Sequence, residues 1–139
     1  MEYFTLQVEA AKKYGVNAAI VLHCIIYFVL SNKRANKNKK NGRFWTYNSY
    51  GGWVQSLPFF TSTQIRRALQ KLREQGAVET GRFNKKGYDK TLWYTVSNEI
   101  LQEAEASEYW TKRISKSTKA SAKIDRPIPY KEYLNIEPY

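Results

Sequence analysis

The chain has 139 residues, of which 42% are apolar, 15% aromatic and 25% charged. This length suits one domain with an arm, and the apolar share is enough to form a buried core. Lys and Arg number 23 against 12 Asp and Glu, so the formal net charge is +11. Such an excess favours a polyanionic partner over an acidic small substrate, because it creates a long-range field rather than a pocket. The single cysteine, Cys24, excludes a disulfide framework and a zinc site built on cysteines.

The longest apolar run extends from Ala18 to Leu30, which is 13 residues with His23 inside it. Because a membrane-spanning helix needs about 20 residues, this length predicts a soluble protein with no membrane partner. The chain does not open with the charged, apolar and small-residue segments of a secretory signal, so we expect a cytoplasmic protein.

Basic residues are concentrated in the middle of the chain. Residues 31–43 contain six basic side chains and no acidic one, and residues 61–97 are also basic, whereas residues 98–111 contain four glutamates. This distribution predicts one binding surface, provided that folding brings the basic clusters to one side. The alternative interpretation is that each cluster is ordinary solvated surface.

The first two predicted elements are helices. A short helix over 5–14 has Thr5 as its predicted N-cap and Gly15 as its stop. Asn17 is the predicted cap of a second helix over 18–30, which is apolar on nearly every face. Such a helix is typical of a buried central element rather than of a surface element.

Polar and aromatic segments follow. Residues 31–42 are rich in Asn and Lys and have no hydrophobic periodicity, so they are predicted as a loop. The β-prone segment 43–47 is predicted as a short strand. A compact helix is capped by Asn48 or Ser49 and ends at about Leu57. The turn after it, which begins with Pro58, is predicted to place two rings in the core, those of Phe59 and Phe60.

The most informative segment is a predicted helix over 62–75, which Gly76 ends. Its apolar residues recur at i, i+3, i+4 and i+7 and predict one buried stripe, formed by Ile65, Ala68, Leu69 and Leu72. The opposite face presents polar and basic side chains, namely Thr63, Arg67 and Gln70, flanked by Gln64, Arg66 and Lys71.

Two β-prone runs, 77–83 and 90–96, flank a turn over 84–89 in which Gly87 can supply positive φ. They predict a β-hairpin with a basic tip. In the second run Leu92, Tyr94 and Val96 alternate with Trp93 and Thr95, which predicts a strand with one buried face, formed by the first three.

The C-terminal part is predicted to begin with a helix over 98–113, capped by Asn98. Its modest apolar stripe could pair with a second copy of the chain, as a homodimer, or pack back on helix 18–30. By composition, 115–123 is predicted as a flexible linker and 124–139 as an extended end rich in Pro and Tyr. The predicted organisation is a domain over 1–97, an accessory helix over 98–114, and a linker with a tail over 115–139.

The order of these elements predicts an α+β fold that is mainly helical. It is the order of a winged helix-turn-helix, with a small β-sheet and hairpin wing plus an extra C-terminal helix. In that fold one helix enters the major groove of B-DNA, which is about 12 Å wide, so double-stranded DNA is the predicted partner.

Arg67 is predicted to bond guanine, and Gln64 and Gln70 to read adenine. Phosphate or flanking contacts are predicted for Thr61, Thr63, Arg66 and Lys71, wing contacts for Arg82, Lys85 and Lys86, and a nonspecific grip on the backbone for 33–43.

No motif indicates an enzyme. His23 and Cys24 lie on the apolar helix, and because the chain has no second His or Cys we expect both to be structural. The acidic residues form no paired motif, and no Gly-rich phosphate loop or nucleophile elbow is present. We therefore expect no catalytic residues, no metal and no cofactor.

The chain carries four distinctive segments, at 23–25 (His-Cys-Ile), 42–49 (Gly-Arg-Phe-Trp-Thr-Tyr-Asn-Ser), 64–72 (Gln-Ile-Arg-Arg with Leu69 and Leu72) and 84–94 (Asn-Lys-Lys-Gly-Tyr-Asp-Lys-Thr with Trp93-Tyr94). Together they resemble the N-terminal winged-helix domain of phage and prophage replication initiators, the replisome-organiser and DnaD-like group. The resemblance covers about residues 17–97. Its most distinctive parts are the aromatic strand and the hairpin tip.

The resemblance implies an origin-binding or DNA-remodelling domain of a phage or mobile genetic element, which helps to load a replicative helicase. Longer relatives often continue into a C-terminal domain that engages the helicase loader, whereas here only the linker and the Pro/Tyr-rich end follow. The resemblance also implies DNA contacts by helix residues and by the whole wing, namely Thr63, Gln64, Arg66, Arg67 and Gln70, with Asn84 to Lys90.

Two other functions are compatible with the sequence. A transcriptional repressor on the same scaffold would bind promoter sites rather than repeated origin sites. A protein-binding module, such as an anti-defence factor, would dock a host protein. In that interpretation, or in one with a replication protein as partner, the tail 124–139 is the candidate docking segment.

Overall fold

The computed structural model describes residues 5–122 and has an α+β architecture. The predicted tail over 124–139 lies outside the described residues. The helices are α1 (Val8–Tyr14), α2 (Val16–Ala35), α3 (Tyr50–Ser56), α4 (Ser62–Glu74), α5 (Asn98–Ala106) and α6 (Glu108–Ala122). The strands are β1 (Lys39–Lys40), β2 (Arg43–Phe44), β3 (Thr46–Asn48), β4 (Val78–Gly81) and β5 (Leu92–Val96).

Helix α2 is the central element of the core, as its apolar composition predicts. It is 20 residues long and is buried from Val21 to Asn32 without interruption. The helix therefore runs past the predicted end at Leu30, through residues predicted as loop, and stops at Asn36 in the left-handed conformation. Helix α2 extends beyond the apolar run 18–30 at both ends, so by length and composition it could cross a membrane, and the length of the run does not exclude this. Most of the helix is covered by the rest of the fold, which accounts for its composition equally well.

The N-terminal caps differ from the predicted ones. Helix α1 begins after Gln7, and Thr5 does not cap it, because the Thr5 hydroxyl lies 2.9 Å from Nε2 of His23 on α2. Helix α2 begins directly after Gly15, so Asn17 is already inside the helix. Gly15 itself ends α1 as predicted, with φ of 89°.

Helices α3 and α4 follow the local signals of the sequence closely. The Ser49 hydroxyl accepts a hydrogen bond from the Gly52 amide and caps α3. Thr61 caps α4, and its side chain and that of Gln64 bond to each other's backbone amides in a capping box. The predicted stripe of α4 is buried, and so is the ring of Phe60, whereas Phe59 is 47% exposed and does not fill the core as predicted. The buried stripe consists of Ile65, Ala68, Leu69 and Leu72.

A three-stranded antiparallel sheet has the strand order β3-β5-β4. The predicted hairpin is therefore present, with β4 and β5 joined by a loop over 82–91. The prediction that β5 has only one buried face is wrong, since Trp93 and Thr95 on its outer face are also buried. Thr95 donates a hydrogen bond to the Phe44 carbonyl, which shows that a further layer covers the sheet.

That layer is a second, two-stranded hairpin formed by β1 and β2. Its first strand and its turn lie within the segment 31–42 that was predicted as an irregular loop. Because residues 31–35 of that segment are helical and residues 39–42 belong to the hairpin, the prediction is wrong for most of the segment. The turn residues Asn41 and Gly42 have φ of 53° and 75°, as a tight hairpin turn requires. The predicted strand over 43–47 is divided at Trp45, which separates β2 from β3.

The predicted C-terminal helix over 98–113 is two helices. Ser97, rather than Asn98, caps α5. The chain becomes extended at Ser107, whose hydroxyl accepts from the Trp110 amide and starts α6. Helix α6 continues to Ala122, so the predicted flexible linker is helical over 115–122. The apolar side of the two helices is covered within one chain by packing on α2, with Ala104, Trp110 and Ile114 in the core.

The packing of α6 on α2 predicts a large loss of stability for Trp110→Ala. The Trp110 ring is 8% exposed and its centroid lies 4.6 Å from that of His23. Removing a buried tryptophan costs about 3–5 kcal/mol, because its apolar packing disappears and a cavity remains. Urea unfolding monitored by circular dichroism measures this difference. The exposed neighbour Lys112→Ala is the control, and equal stability of both variants would contradict the packing.

Candidate nucleic-acid interface

The outward face of α4 carries the predicted DNA-contacting residues. Thr61, Thr63, Gln64, Arg66, Arg67, Gln70 and Lys71 are all exposed. They are exposed because the buried stripe takes the opposite side of the helix, so a helix of 3.6 residues per turn must present them to solvent. The capping box holds the N-terminal end of this face in a defined geometry.

The polar heads on this face are not equally available. The Gln64 side-chain oxygen accepts from the Thr61 amide at 2.9 Å, and the Gln70 side-chain nitrogen donates to Glu74 at 2.9 Å. A glutamine reads adenine with both its oxygen and its nitrogen, so each would first have to release an internal bond. Within residues 5–122, Arg67 makes no hydrogen bond or ion pair, which leaves its guanidinium free for a ligand.

The two flanks of α4 face different neighbours. On one flank the Arg66 guanidinium lies 4.7 Å from the centre of the Tyr50 ring of α3, which fixes its direction. The same flank and β4 enclose an open groove of about 810 Å³, lined also by Arg73, Glu74 and Glu79. On the other flank Lys71 approaches Gly15, at the junction of α1 and α2.

The loop over 82–91 is shaped by Asn84. The Asn84 side-chain nitrogen donates to the carbonyls of Asp89 and Thr91, each at 2.9 Å, and its oxygen accepts from the Trp93 indole at 2.7 Å. This residue therefore has a clear structural role, and its predicted contact with DNA stays a prediction. The Thr91 amide donates to the Asp89 carboxylate, which lowers the pKa of that exposed group.

The cations of this loop extend into solvent, namely Arg82, Lys85, Lys86 and Lys90. Tyr88 is also at the tip; it is 76% exposed, and the Lys86 ammonium lies 5.7 Å from the centre of its ring. An exposed aromatic ring beside cations can stack on a base or a sugar. The residue pattern alone did not single out this ring, although its place in the turn beside Lys86 and Gly87 was a usable signal.

The β1–β2 hairpin presents a second group of exposed cations. Lys39 and Lys40 form β1, directly before the turn at Asn41 and Gly42, and are exposed. The sequence placed them only within the general grip predicted for 33–43, without a hairpin. Only a partial signal for this hairpin was present, because Asn-Gly is typical of a tight turn whereas Lys39 and Lys40 are not β-prone residues.

A second groove, of about 1000 Å³, lies between α1 and the pair α5 and α6. Its lining is mixed, with apolar side chains such as those of Leu22, Ile26 and Trp110 beside polar ones. Glu9, Glu99 and Glu103 also line it, against the single cation Lys13. This excess of carboxylates makes the groove an unsuitable surface for a phosphate backbone.

The residues that most often carry chemistry lie in the core. Cys24 is fully buried, and burial raises the pKa of its thiol. His23 is 6% exposed and lies within hydrogen-bond distance of Thr5 and Tyr109, so it is built into the junction of α2 and α6. Among the described residues no three His, Cys, Asp or Glu side chains are close enough to hold a metal ion.

The environment of His23 predicts a pH dependence of stability. Burial, together with the nearby Arg113, lowers the pKa of His23 from 6.5 to about 3. Between these values the unfolded chain binds a proton that the folded protein does not bind. The free energy of unfolding should therefore decrease on acidification below pH 6.5, by up to about 1.4 kcal/mol per pH unit. Above pH 6.5 His23 is neutral in both states, so it should cause no further change with pH.

Urea unfolding between about pH 5 and 6.5 measures this slope, since ordinary carboxyl groups remain ionised in that range. The chain has one histidine, so no other imidazole contributes. His23→Gln and His23→Leu should both flatten the curve in this window. A slope that persists in a folded variant would contradict the assignment.

A scan against protein-family models, a search of curated proteins and a search of solved structures each found no match for this chain.

Proposed function

We propose that this protein is a winged helix-turn-helix that binds double-stranded DNA without catalysing a reaction. Helix α3, the turn and α4 are the helix-turn-helix, and β4, β5 and the loop over 82–91 are the wing. The strand order β3-β5-β4 supports this interpretation, because the strand before the helix pair joins the hairpin that follows it. One flank of α4 also contacts β4, the strand that leads into the basic loop.

The observation that carries the proposal is the division of α4 into two faces. One face is fully committed to the core, and the other presents Arg67 without an internal partner on a helix of 13 residues. A helix with such a face fits the major groove, where a guanidinium can bond the O6 and N7 of guanine together. In this arrangement Arg66, held against Tyr50, and Lys71 contact phosphates on either side of the groove.

The wing contributes sequence-independent attraction. Lys85 and Lys86 are exposed at the tip of a loop that Asn84 holds in shape, so the wing presents its charge from a defined position. Each phosphate that a cation neutralises releases counterions, which gives binding its salt dependence.

The biological role that we propose is replication initiation in a phage or mobile genetic element. This part rests on the resemblance of segments within 17–97 to the winged-helix domain of replication initiators. Repression of transcription from the same scaffold would use the same surface. The two roles differ in the arrangement of binding sites, because an origin carries repeated sites and a promoter carries isolated ones.

Selection of bound duplexes from a random pool tests the proposal. A short consensus is the expected result, and its symmetry also reports whether one copy or two bind each site. Recovery of duplexes with no enriched sequence would contradict major-groove reading, and no recovery at low salt would contradict DNA binding.

Arg67→Ala is predicted to relax sequence preference. Loss of a bidentate contact with guanine costs about 1–3 kcal/mol at one position of the site, with little effect on other sequences. Titration of the selected duplex and of single-base variants by fluorescence anisotropy measures the change. Arg67→Lys keeps the charge without the planar fork and should relax the same position. If both variants keep the parent's discrimination, Arg67 does not read a base.

Lys85→Ala with Lys86→Ala is predicted to weaken binding to all duplexes by a similar factor. The slope of log K against log salt should become shallower by about 0.9 for each phosphate that is no longer neutralised, or about 1.8 in total. The control is Lys12→Gln with Lys112→Gln, which removes the same charge from α1 and α6. A slope equal to that of this control would show that the wing does not contact phosphates.

A further inference from the structure

The β1–β2 hairpin is held firmly against the outer face of the three-stranded sheet. The Trp45 indole donates to the Lys40 carbonyl at 3.0 Å, which ties the ring to β1. Arg43 donates to the Val96 carbonyl and to the Glu79 carboxylate, each at 2.7 Å, and so joins β2 to β5 and β4. With the bond from Thr95 to the Phe44 carbonyl, these contacts give the hairpin a fixed position on the sheet.

The hairpin and the wing meet at one side chain, Trp93. The Lys40 ammonium lies 5.8 Å from the centre of the Trp93 ring. The indole of the same ring donates to Asn84, the residue that shapes the wing loop. Phe83, at the start of that loop, packs on Trp93 and on Trp45, with ring centres 5.5 and 4.8 Å apart. Two segments that are distant in the chain therefore lie side by side.

Their cations are available to an external anion. In the part of the chain that the structure describes, no carboxylate forms an ion pair with Lys39, Lys40, Arg82, Lys85, Lys86 or Lys90. Two other cations of the basic segment are already paired, since Lys33 contacts Glu105 and Arg43 contacts Glu79. The hairpin and the wing therefore both present cations that no carboxylate neutralises.

We infer that the β1–β2 hairpin is a second phosphate-binding element, which acts with the wing as one cationic surface joined at Trp93. This inference rests on the proposed function, and it extends the contact with duplex DNA beyond α4 and the wing. The ligand of the hairpin is the phosphate backbone. Lys39 and Lys40 carry compact ammonium groups rather than planar ones, so they attract charge and do not read bases. The hairpin therefore adds affinity without adding sequence preference.

The inference is tested with Lys39→Gln combined with Lys40→Gln in the full chain. Both side chains are exposed, and the bonds that anchor β1 use its backbone, so the fold should be retained; an unchanged thermal midpoint checks this. The expected result is a salt slope shallower by about 1.8, with equal weakening on the selected duplex and on an unrelated duplex. The control with matched charge is again Lys12→Gln with Lys112→Gln.

The outcomes separate this inference from the proposed function. If the parent binds duplex DNA and the hairpin variant keeps the slope of the control, the inference is overturned and the proposed function stands. If the variant loses discrimination between the two duplexes instead of overall affinity, the assignment to phosphates is also overturned. If the parent itself binds no duplex at low salt, both are overturned. Combining the hairpin and wing substitutions should add their slope changes, to about 3.6 in total.

Discussion

The fold depends on the need to cover α2 on all sides. This helix presents apolar residues around almost its whole circumference, and such a helix is stable in water only when neighbours surround it. Helices α1, α4, α5 and α6 and strands β2, β3 and β5 all contact it. The surrounding helix α4 commits one face to the core and keeps the other for solvent, whereas β5 is buried on both faces. The surface of the protein is therefore formed by the outward faces of the outer elements.

Helix α4 illustrates how this constraint produces a candidate binding face. Its apolar residues are confined to one side, so the side chains opposite them share an outward direction without any special arrangement. The capping box occupies one of these polar side chains, because the Gln64 side-chain oxygen accepts a hydrogen bond from the Thr61 amide. The same residue cannot stabilise the start of the helix and offer its whole amide to a base. Arg67, one turn further along, has no such internal task.

The sheet is covered by helices on one side and by a basic hairpin on the other. Covering the outer face with the β1–β2 hairpin buries Trp45 and Trp93. The aromatic rings supply the apolar area, and the lysine stems extend from the edge of that cluster to solvent. Gly81 allows this packing, since a side chain there would meet the Phe83 ring at 2.8 Å. Burial of rings and exposure of cations are thus two results of the same arrangement.

The elements that could be predicted from the sequence are those whose signals are local. The stripe of α4 is a matter of spacing, and the caps at Ser49, Thr61 and Gly15 require only neighbours a few residues away. The candidate residues on α4 and in the wing followed from that local pattern, and all are exposed or partly exposed. Availability of each group could not be predicted in the same way, because the partners of Gln70 and Asn84 depend on the folded geometry.

The sequence by itself determined the central helix, the two faces of α4 and the hairpin that follows it, because periodicity and turn residues act within one element. Only the tertiary structure decided where α2 ends, that residues 39–44 form a hairpin and that the chain turns at Ser107. The Asn32 side-chain nitrogen donates a hydrogen bond to the Trp45 carbonyl at 2.8 Å, and the Thr95 hydroxyl donates one to the Phe44 carbonyl. These bonds join residues 13 and 51 positions apart, so no local pattern contains them. The end of α2 and the hairpin over 39–44 have a fixed structure because residues distant in the chain satisfy their hydrogen bonds and cover their side chains.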